Sequence, residues 1–273
     1  MIIGVVYSVR DPAGIGMARV LAELFGKEFV LGEKIALDKN LFMKGFDAET
    51  IEFEFLYEKV PADAYVVLSK HRSESGKPCF TVHPTGNPTS RAELGGEPLK
   101  LSVSFPRLAG ITLYNIYEEA SKAGVKEIDI SYEVTHHGPT GVPKPLVFVE
   151  IGSTPREWVV QEYHRVLGVS VYNSLKSLLS GEYKSTPRAV GFGGGHYARR
   201  FTSITLNKEA FFGHMLAKYA LREEFNPSVI RQAIEKNFEE VNIAYMERKC
   251  CRSSERNEIK RLCSEYGIDV VVI

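Results

Sequence analysis

The sequence predicts an α/β fold with a central sheet of mixed direction. Short apolar or alternating segments typical of strands recur along the 273 residues, and longer segments with helical periodicity separate them. Some strand segments follow each other too closely for a helical crossover, so both parallel and antiparallel strands are expected. No linker, repeat or low-complexity segment interrupts this pattern, so we expect one domain over residues 1–273.

The first half begins with strand-like residues and then a helix start. Asp11 followed by Pro12 is typical of an N-cap and first helical residue, and the helix extends to about Gly26. The other elements expected here are strands at 1–8, 51–57, 64–69 and 79–83, then a Gly- and Pro-rich loop at 84–98.

The second half continues the alternation. Gly124 is typical of a helix C-cap, and Asn226 with Pro227 indicates another helix start. The expected elements are strands at 128–135, 145–151, 188–193, 241–246 and 268–273, and helices at 108–123, 154–180 (one or two), 228–236 and 254–266.

Composition excludes several classes of protein. The chain has 34 Lys+Arg and 34 Asp+Glu, with 44% hydrophobic residues, which argues against a disordered chain or a generally basic nucleic-acid coat. Neither an 18-residue apolar run nor a basic secretory leader is present, so we expect a cytoplasmic protein without membrane contact. The four cysteines form no CxxC pair, which predicts reduced thiols.

Four of the seven histidines fall at strand ends beside glycine or proline: His83 in TVHPTGN, His136 and His137 in THHGPTG, and His196 in GFGGGHYA. Ligands bind beyond strand ends in open α/β sheets, and neutral imidazole ligates zinc or acts as a general base. Each histidine alone is explained equally by a hydrogen-bonded loop residue, but together they predict a shared polar site. Their spacing matches no standard zinc motif, so metal ligation and base catalysis both remain open.

Two further features point to the same chemistry. Glu150 lies inside the apolar run PLVFVEI, where a carboxylate needs a partner: a metal, a histidine or a substrate proton. An exposed strand end is the alternative. Gly193, Gly194 and Gly195 would let backbone N–H groups approach a phosphate or an oxyanion, unless they form only a flexible turn.

Basic residues are concentrated in three segments, although the net charge of the whole chain is zero. Residues 183–208 contain Lys184, Arg188, Arg199, Arg200 and Lys208 and no acidic residue. Residues 70–91 and 248–261 are also rich in Lys and Arg. Such segments suit a phosphate-bearing substrate, including RNA, although an ordinary solvated surface is the alternative.

The motifs TVHPTGN, VTHHGPTG and GFGGGHYARR, in this order and at this length, resemble those of the archaeal and plant-type D-aminoacyl-tRNA deacylases. The resemblance covers essentially the whole chain. It departs from the family pattern GGGHYAPR at Arg199, which stands where that pattern has proline. The resemblance implies a three-layer α/β/α sandwich of the phosphorylase and peptidyl-tRNA-hydrolase type. It further implies a zinc-dependent hydrolase that releases a free D-amino acid from tRNA.

Under this resemblance the candidate residues take roles. We expect zinc ligands among His83, His136, His137 and His196, and catalytic groups among His137, His196, Glu150 and Thr140. The glycines 193–195, with Lys184, Arg188, Arg199 and Arg200, would bind the acceptor end of a D-aminoacyl-tRNA. We expect a monomer that binds neither DNA nor membranes.

Two other functions remain open from sequence. One is a metal-dependent hydrolase or phosphorylase acting on a small nucleoside or amide, which would not bind tRNA. The other is an RNA-binding module without catalysis, in which His137 and His196 would be dispensable.

Overall fold

The structure, a computed structural model, describes residues 1–273, in which strands and helices alternate along the chain. The strands are β1 (Ile3–Ser8), β2 (Ile35–Asp38), β3 (Leu41–Phe46), β4 (Ala64–Lys70), β5 (Cys79–His83), β6 (Gly86–Asn87), β7 (Lys100–Leu101), β8 (Asp129–Tyr132), β9 (Leu146–Gly152), β10 (Arg188–Phe192), β11 (Phe211–Leu216), β12 (Ile243–Met246) and β13 (Asp269–Val272). The α-helices are α1 (Pro12–Leu24), α2 (Leu56–Lys59), α3 (Pro106–Ala123), α4 (Gln161–Ser180), α5 (Arg199–Leu206), α6 (Lys218–Glu223), α7 (Pro227–Glu235) and α8 (Ser253–Glu265). No helix is long and apolar enough to cross a bilayer.

Seven strands form the central sheet in the order β2-β3-β1-β4-β9-β5-β8. Strands β3, β1, β4 and β9 run parallel, whereas β2 is antiparallel to β3 and β5 is antiparallel to β9. The α/β class and the mixed central sheet predicted from sequence are therefore confirmed. Helices α1, α3 and α4 pack against one face of this sheet, and the segment around α2 covers the other.

The expected start of α1 is confirmed in detail. The Asp11 carboxylate accepts hydrogen bonds from the N–H groups of Ala13 (2.9 Å) and Gly14 (3.2 Å), and Pro12 is the first helical residue. Its second oxygen accepts from the Lys70 N–H at 2.6 Å, which ties the helix start to the end of β4. The carboxyl edge of the sheet is thereby fixed at the point where ligands bind in this class of fold.

The strand predicted at 51–57 is wrong. Residues Thr50–Phe55 form a 3-10 helix that leads into α2. Phe53 and Leu56, three residues apart, are both buried on the central sheet, and Glu52 accepts a hydrogen bond from the Glu49 N–H at 3.3 Å. Ile51, Phe53 and Phe55 alternate with acidic residues and so resemble a half-buried strand, although the structure buries Phe53 together with Leu56, which strict alternation would place on opposite faces.

The last third of the chain forms a second sheet that sequence patterning does not reveal. It has the order β11-β10-β12-β13, and all of its strands run parallel. One face packs on α7 and α8 over its own apolar core, and the other joins the main core through Phe211 and Phe212. The two sheets meet where residues 196–198 pair with residues 132–134.

Candidate active site

Five histidines and two glutamates converge where the two sheets meet. They are His71 after β4, His83 at the end of β5, Glu133, His136 and His137 after β8, Glu150 in β9 and His196 after β10. We call these seven residues the cluster. His196 reaches it from the second sheet because Val134 N–H donates to the His196 carbonyl at 3.0 Å. The sequence prediction that His83, His136, His137, His196 and Glu150 share a site agrees with this placement.

Three histidines of the cluster have their ring orientation fixed in the same way. Nδ1 lies within hydrogen-bond distance of a backbone carbonyl at His83 (3.1 Å), His136 (2.8 Å) and His137 (2.6 Å). A carbonyl only accepts, so each ring donates from Nδ1, and in the neutral ring the lone pair is on Nε2. One ring nitrogen of each histidine lies within 4.8 Å of those of the other two. This is the arrangement that orients histidines toward a metal ion.

The backbone of His137 is held in an uncommon conformation. Its φ is +45°, in the left-handed region that non-glycine residues rarely occupy. Gly86 N–H donates to the His137 carbonyl at 2.8 Å and fixes the residue there. Strain of this kind is typically found at functional sites, where the surrounding structure maintains it.

Glu133 is the hub of the cluster. Its Oε2 lies 3.2 Å from His136 Nε2 and 3.3 Å from His196 Nε2, and its Oε1 lies 3.0 Å from His71 Nδ1. Neither oxygen has a partner with good hydrogen-bond geometry, and both are buried; the same holds for His83 Nε2. Burial raises the pKa of Glu133, but the surrounding imidazoles outweigh it and hold the pKa well below its usual range. Buried anionic oxygens and imidazole nitrogens that converge without aligned hydrogens fit a divalent cation.

Glu150 is buried and does not lie at an exposed strand end. Its Oε2 lies 3.4 Å from His71 Nδ1 and 3.6 Å from His83 Nε2. Burial raises the pKa of Glu150, but the two histidines lower it to about 2. His71 therefore lies between two buried carboxylates, and although burial opposes its charge, they raise the pKa of His71 to about 12. Tyr197 contacts His71 Nε2 through its hydroxyl at 3.1 Å.

The glycine loop between β10 and His196 presents free backbone donors. Gly193 and Gly194 have φ of +125° and +79°, which favour glycine. Gly193 N–H donates to the Leu216 carbonyl at 2.8 Å, whereas the N–H groups of Gly194 and Gly195 have no protein acceptor. A Cβ at position 195 would meet no atom within 4 Å, so this part of the loop is open.

The hydrogen bonds of Thr140, a predicted catalytic residue, connect it to two neighbouring segments. Its hydroxyl accepts from Glu97 N–H at 2.9 Å, and its own N–H donates to Glu54 at 2.6 Å. Thr140 follows His137 by three residues in the sequence; its hydroxyl holds the loop at 94–97, and its N–H holds Glu54.

The predicted basic residues fall into two groups. Lys184 and Arg188 lie before or at the start of β10, whereas His196 follows the other end of that strand, so the structure does not bring them to the cluster. Arg199 pairs with Asp129 through two contacts of 3.1 and 2.6 Å, and Arg200 lies 3.7 Å from Glu247. Both begin α5 directly after the cluster segment.

Sequence reasoning did not identify His71, Glu133 and Tyr197 as functional. His71 directly follows the buried segment AYVVLSK, as His83 ends CFTVH, so the position after a buried strand was the available signal. The adjacent Lys70 and Arg72 favoured its interpretation as part of a basic segment. Glu133 was visible only as one polar residue of an alternating strand.

Comparisons with known proteins show what the chain is similar to. A family model described as D-aminoacyl-tRNA deacylase matches residues 58–271. The chain is 37% identical to a D-aminoacyl-tRNA deacylase of Staphylothermus marinus, over 98% of both chains, and 35% identical to one of Aeropyrum pernix, over 100% of both. A crystal structure of a conserved protein of unknown function superimposes with a TM-score of 0.88 at 27% identity, covering 99% of this chain and 95% of that one.

Proposed function

This chain belongs to the D-aminoacyl-tRNA deacylase family, and we propose that its cluster hydrolyses the ester of a D-aminoacyl-tRNA with the help of a bound zinc ion. The observation that carries the proposal is the shared orientation of His83, His136 and His137, whose Nδ1 atoms face carbonyls. Three neutral imidazoles with one open position are a common ligand set for catalytic zinc.

The donor set suits zinc better than a harder cation. Calcium and magnesium take oxygen ligands almost exclusively, whereas imidazole nitrogen with carboxylate suits zinc and other transition metals. Zinc bound there would supply a Lewis acid and a water molecule of lowered pKa. His196 and Glu133 approach from the second sheet and the end of β8, which leaves them as ligands or as groups that handle a proton.

The other residues of the site would have different roles in hydrolysis. Glu150 and Glu133 hold His71 between them, so His71 positions both carboxylates and balances their charge. Gly194 and Gly195 offer unpaired N–H groups for the oxyanion that develops when water attacks the ester carbonyl. An ester is an activated acyl group, so a positioned base and these donors address the main barriers.

The substrate and cellular setting follow from the same proposal. The acceptor end of the tRNA would lie along the edge that carries Arg200 and the glycine loop, where a phosphate meets positive charge. The four cysteines are free thiols, which supports a reducing compartment such as the cytoplasm. A monomer stays a prediction, which sedimentation analysis would test.

The decisive experiment is single-turnover deacylation of matched D-Tyr-tRNA and L-Tyr-tRNA by native, chelated and zinc-restored protein. We expect rapid loss of the D-ester only, abolished by the chelator and restored by zinc. Equal rates for both esters would contradict the D-specific activity. Full activity of protein shown to be metal-free would contradict zinc dependence. Loss of neither ester would favour a hydrolase of small substrates.

A further inference from the structure

We propose that Tyr219 is the platform on which the 3′-terminal base of the tRNA stacks, with Lys218 and Arg222 contacting the adjoining phosphates. The inference rests on the proposed function, because it locates the nucleotide whose ribose carries the ester.

Backbone hydrogen bonds place Tyr219 beside the glycine loop. Gly193 N–H donates to the Leu216 carbonyl at 2.8 Å, and Lys218 N–H donates to the Gly194 carbonyl at 3.0 Å. The residues that lead into α6 are therefore fixed to the loop that delivers His196. Tyr219 is the next residue of that helix.

The same segment is fixed to the other side of the cluster. Thr135 N–H donates to the Met215 carbonyl at 2.8 Å, and Met215 N–H donates back to the Thr135 hydroxyl at 3.0 Å. Thr135 directly precedes His136. Partial burial and then the negative charge of Glu133 raise the pKa of Tyr219, which agrees with a ring edge that faces the cluster.

Tyr219 presents an open aromatic surface. The residue is 49% exposed, and its ring takes part in none of the aromatic or cation–π contacts that other tyrosines make, such as those of Tyr114 with Tyr183 and Lys208. Three other exposed aromatic residues have partners: Lys144 lies over the ring of Tyr57, Phe238 packs on Phe105 with 4.7 Å between ring centroids, and the Tyr266 hydroxyl donates to Glu235. Tyr117 is 48% exposed but belongs to α3, which contributes no residue to the cluster.

Two basic residues of α6 on either side of Tyr219 in the sequence have no carboxylate partner. Glu223 of α6 pairs with Arg91 at 2.9 Å, whereas Lys218 and Arg222 pair with no carboxylate. Arg222 donates to the Lys249 carbonyl at 3.0 Å and retains further donors. Beyond it lies an open recess of about 330 Å³ lined by Arg222, Cys251 and Arg252.

An exposed ring flanked by free cations is the combination that binds the single-stranded end of an RNA. Unpaired bases stack on aromatic side chains, and Lys and Arg contact the phosphates. Stacking on Tyr219 would leave the terminal ribose beside the glycine loop and the cluster, where its ester is hydrolysed. A small-molecule substrate would need neither the ring nor the charges.

The test uses full-length tRNA whose 3′-terminal adenine is replaced by 2-aminopurine, a base whose fluorescence falls when it stacks. Wild-type protein should quench it, and Tyr219→Phe should retain the quench because the ring is kept. Tyr219→Ala should lose the quench and weaken tRNA binding about 5- to 150-fold. With D-Tyr-tRNA it should raise KM more than it lowers kcat, since stacking is present in both ground and transition states. Tyr117→Ala, equally exposed, should match wild type.

Three other outcomes would each contradict one part of the proposal. An undiminished quench by Tyr219→Ala, in protein whose wild type hydrolyses D-Tyr-tRNA, would refute the platform and leave the function intact. Equal defects in Tyr219→Phe and Tyr219→Ala would assign the effect to the hydroxyl and refute stacking. Normal quenching by a wild type that hydrolyses no D-ester would refute the function while the platform stands.

Discussion

At the scale of single residues, the site depends on which nitrogen of each histidine is engaged. His83, His136 and His137 each use Nδ1 on a carbonyl, so Nε2 stays available. His214, also buried, uses both ring nitrogens: Nε2 contacts two carbonyls at 3.1 and 3.2 Å, and Nδ1 contacts the Thr135 hydroxyl at 3.1 Å. The first three histidines are therefore suited to bind a ligand, and His214 is suited to hold the structure together.

Removal of the available imidazoles should abolish chemistry without unfolding the protein. We expect His137→Ala and His196→Ala each to lower the single-turnover rate on D-Tyr-tRNA by ~10²-fold or more. His137→Ala should also reduce the zinc bound per chain, measured by elemental analysis. His164→Ala is the matched control, because His164 contacts the Trp158 carbonyl outside the cluster. Near wild-type rates in both cluster variants would remove the assignment.

His214 predicts a pH dependence of stability. Burial lowers the pKa of His214 to about 4, whereas an unfolded histidine titrates near 6.5. Below pH ~6.5, His214 is protonated in the unfolded chain but stays neutral in the folded protein. The free energy of unfolding therefore decreases as the pH falls from about 6.5 to 4. The loss attributable to this residue is about 3 kcal/mol. Urea denaturation at pH 7, 5.5 and 4.5 should show a smaller loss in His214→Gln than in wild type; parallel losses would contradict the prediction.

At the scale of elements, the ends of strands deliver nearly all of the cluster. β4, β5 and β9 contribute His71, His83 and Glu150, and the segment after β8 contributes three more residues: Glu133, His136 and His137. The loop after β10 is the one contribution from the second sheet. Its course depends on Gly193, where a Cβ would lie 2.7 Å from the Glu247 side chain at a φ of +125°.

Two neighbouring glycines allow a matched test of this loop. Gly193→Ala should destabilise the protein by about 1–3 kcal/mol, because the backbone conformation is strained for alanine. It should also slow deacylation, since the loop carries His196. Gly195→Ala, whose Cβ would meet no atom within 4 Å, should leave the free energy of unfolding within about 0.5 kcal/mol of wild type. Equal destabilisation by both substitutions would contradict the assignment of the effect to the backbone conformation of Gly193.

Local sequence signals account for many of the elements, but not for β2, β3, β11 or the helical segment at 50–59, and they account for part of the cluster. Short-range features can be recognised in the sequence alone. They include helix caps such as Asp11–Pro12 and Gly124, and the glycine or proline beside His83, His137 and His196. Glu133 became recognisable only when histidines from three segments surrounded it. Its role depends on long-range pairing, which no local pattern encodes.

At the scale of the whole molecule, the second sheet is the feature that sequence patterning missed. The pattern of β10, β12 and β13 predicts strands, but a parallel strand pairs equally well in a continuous sheet or in a separate one. The separation places the carboxyl ends of β10, β11 and β12 beside the cluster and gives this edge Arg200, Arg248 and Lys249, which line an open recess of about 420 Å³.

The position of this edge predicts how tRNA binding responds to salt. Arg200→Gln should weaken binding and reduce the slope of log Kd against log salt concentration by about 1, because one phosphate contact is lost. Lys184→Gln, at the opposite end of β10, should leave the slope unchanged. Filter binding of tRNA between low and moderate salt measures both. The reverse pattern would move the tRNA to the other end of the sheet.

The order of the cluster along the chain has a consequence during synthesis. Every cluster residue except His196 lies within the first 150 positions, whereas His196 is carried by a loop whose neighbours β11 and β12 extend to Met246. A chain emerging from the ribosome therefore carries most of the ligands before the second sheet has been made. Under the roles proposed above, the hydrolytic centre is completed only when nearly the whole protein has been translated. A truncated product, released among the correctly charged tRNAs that translation consumes, would lack both His196 and the surface that receives the RNA end.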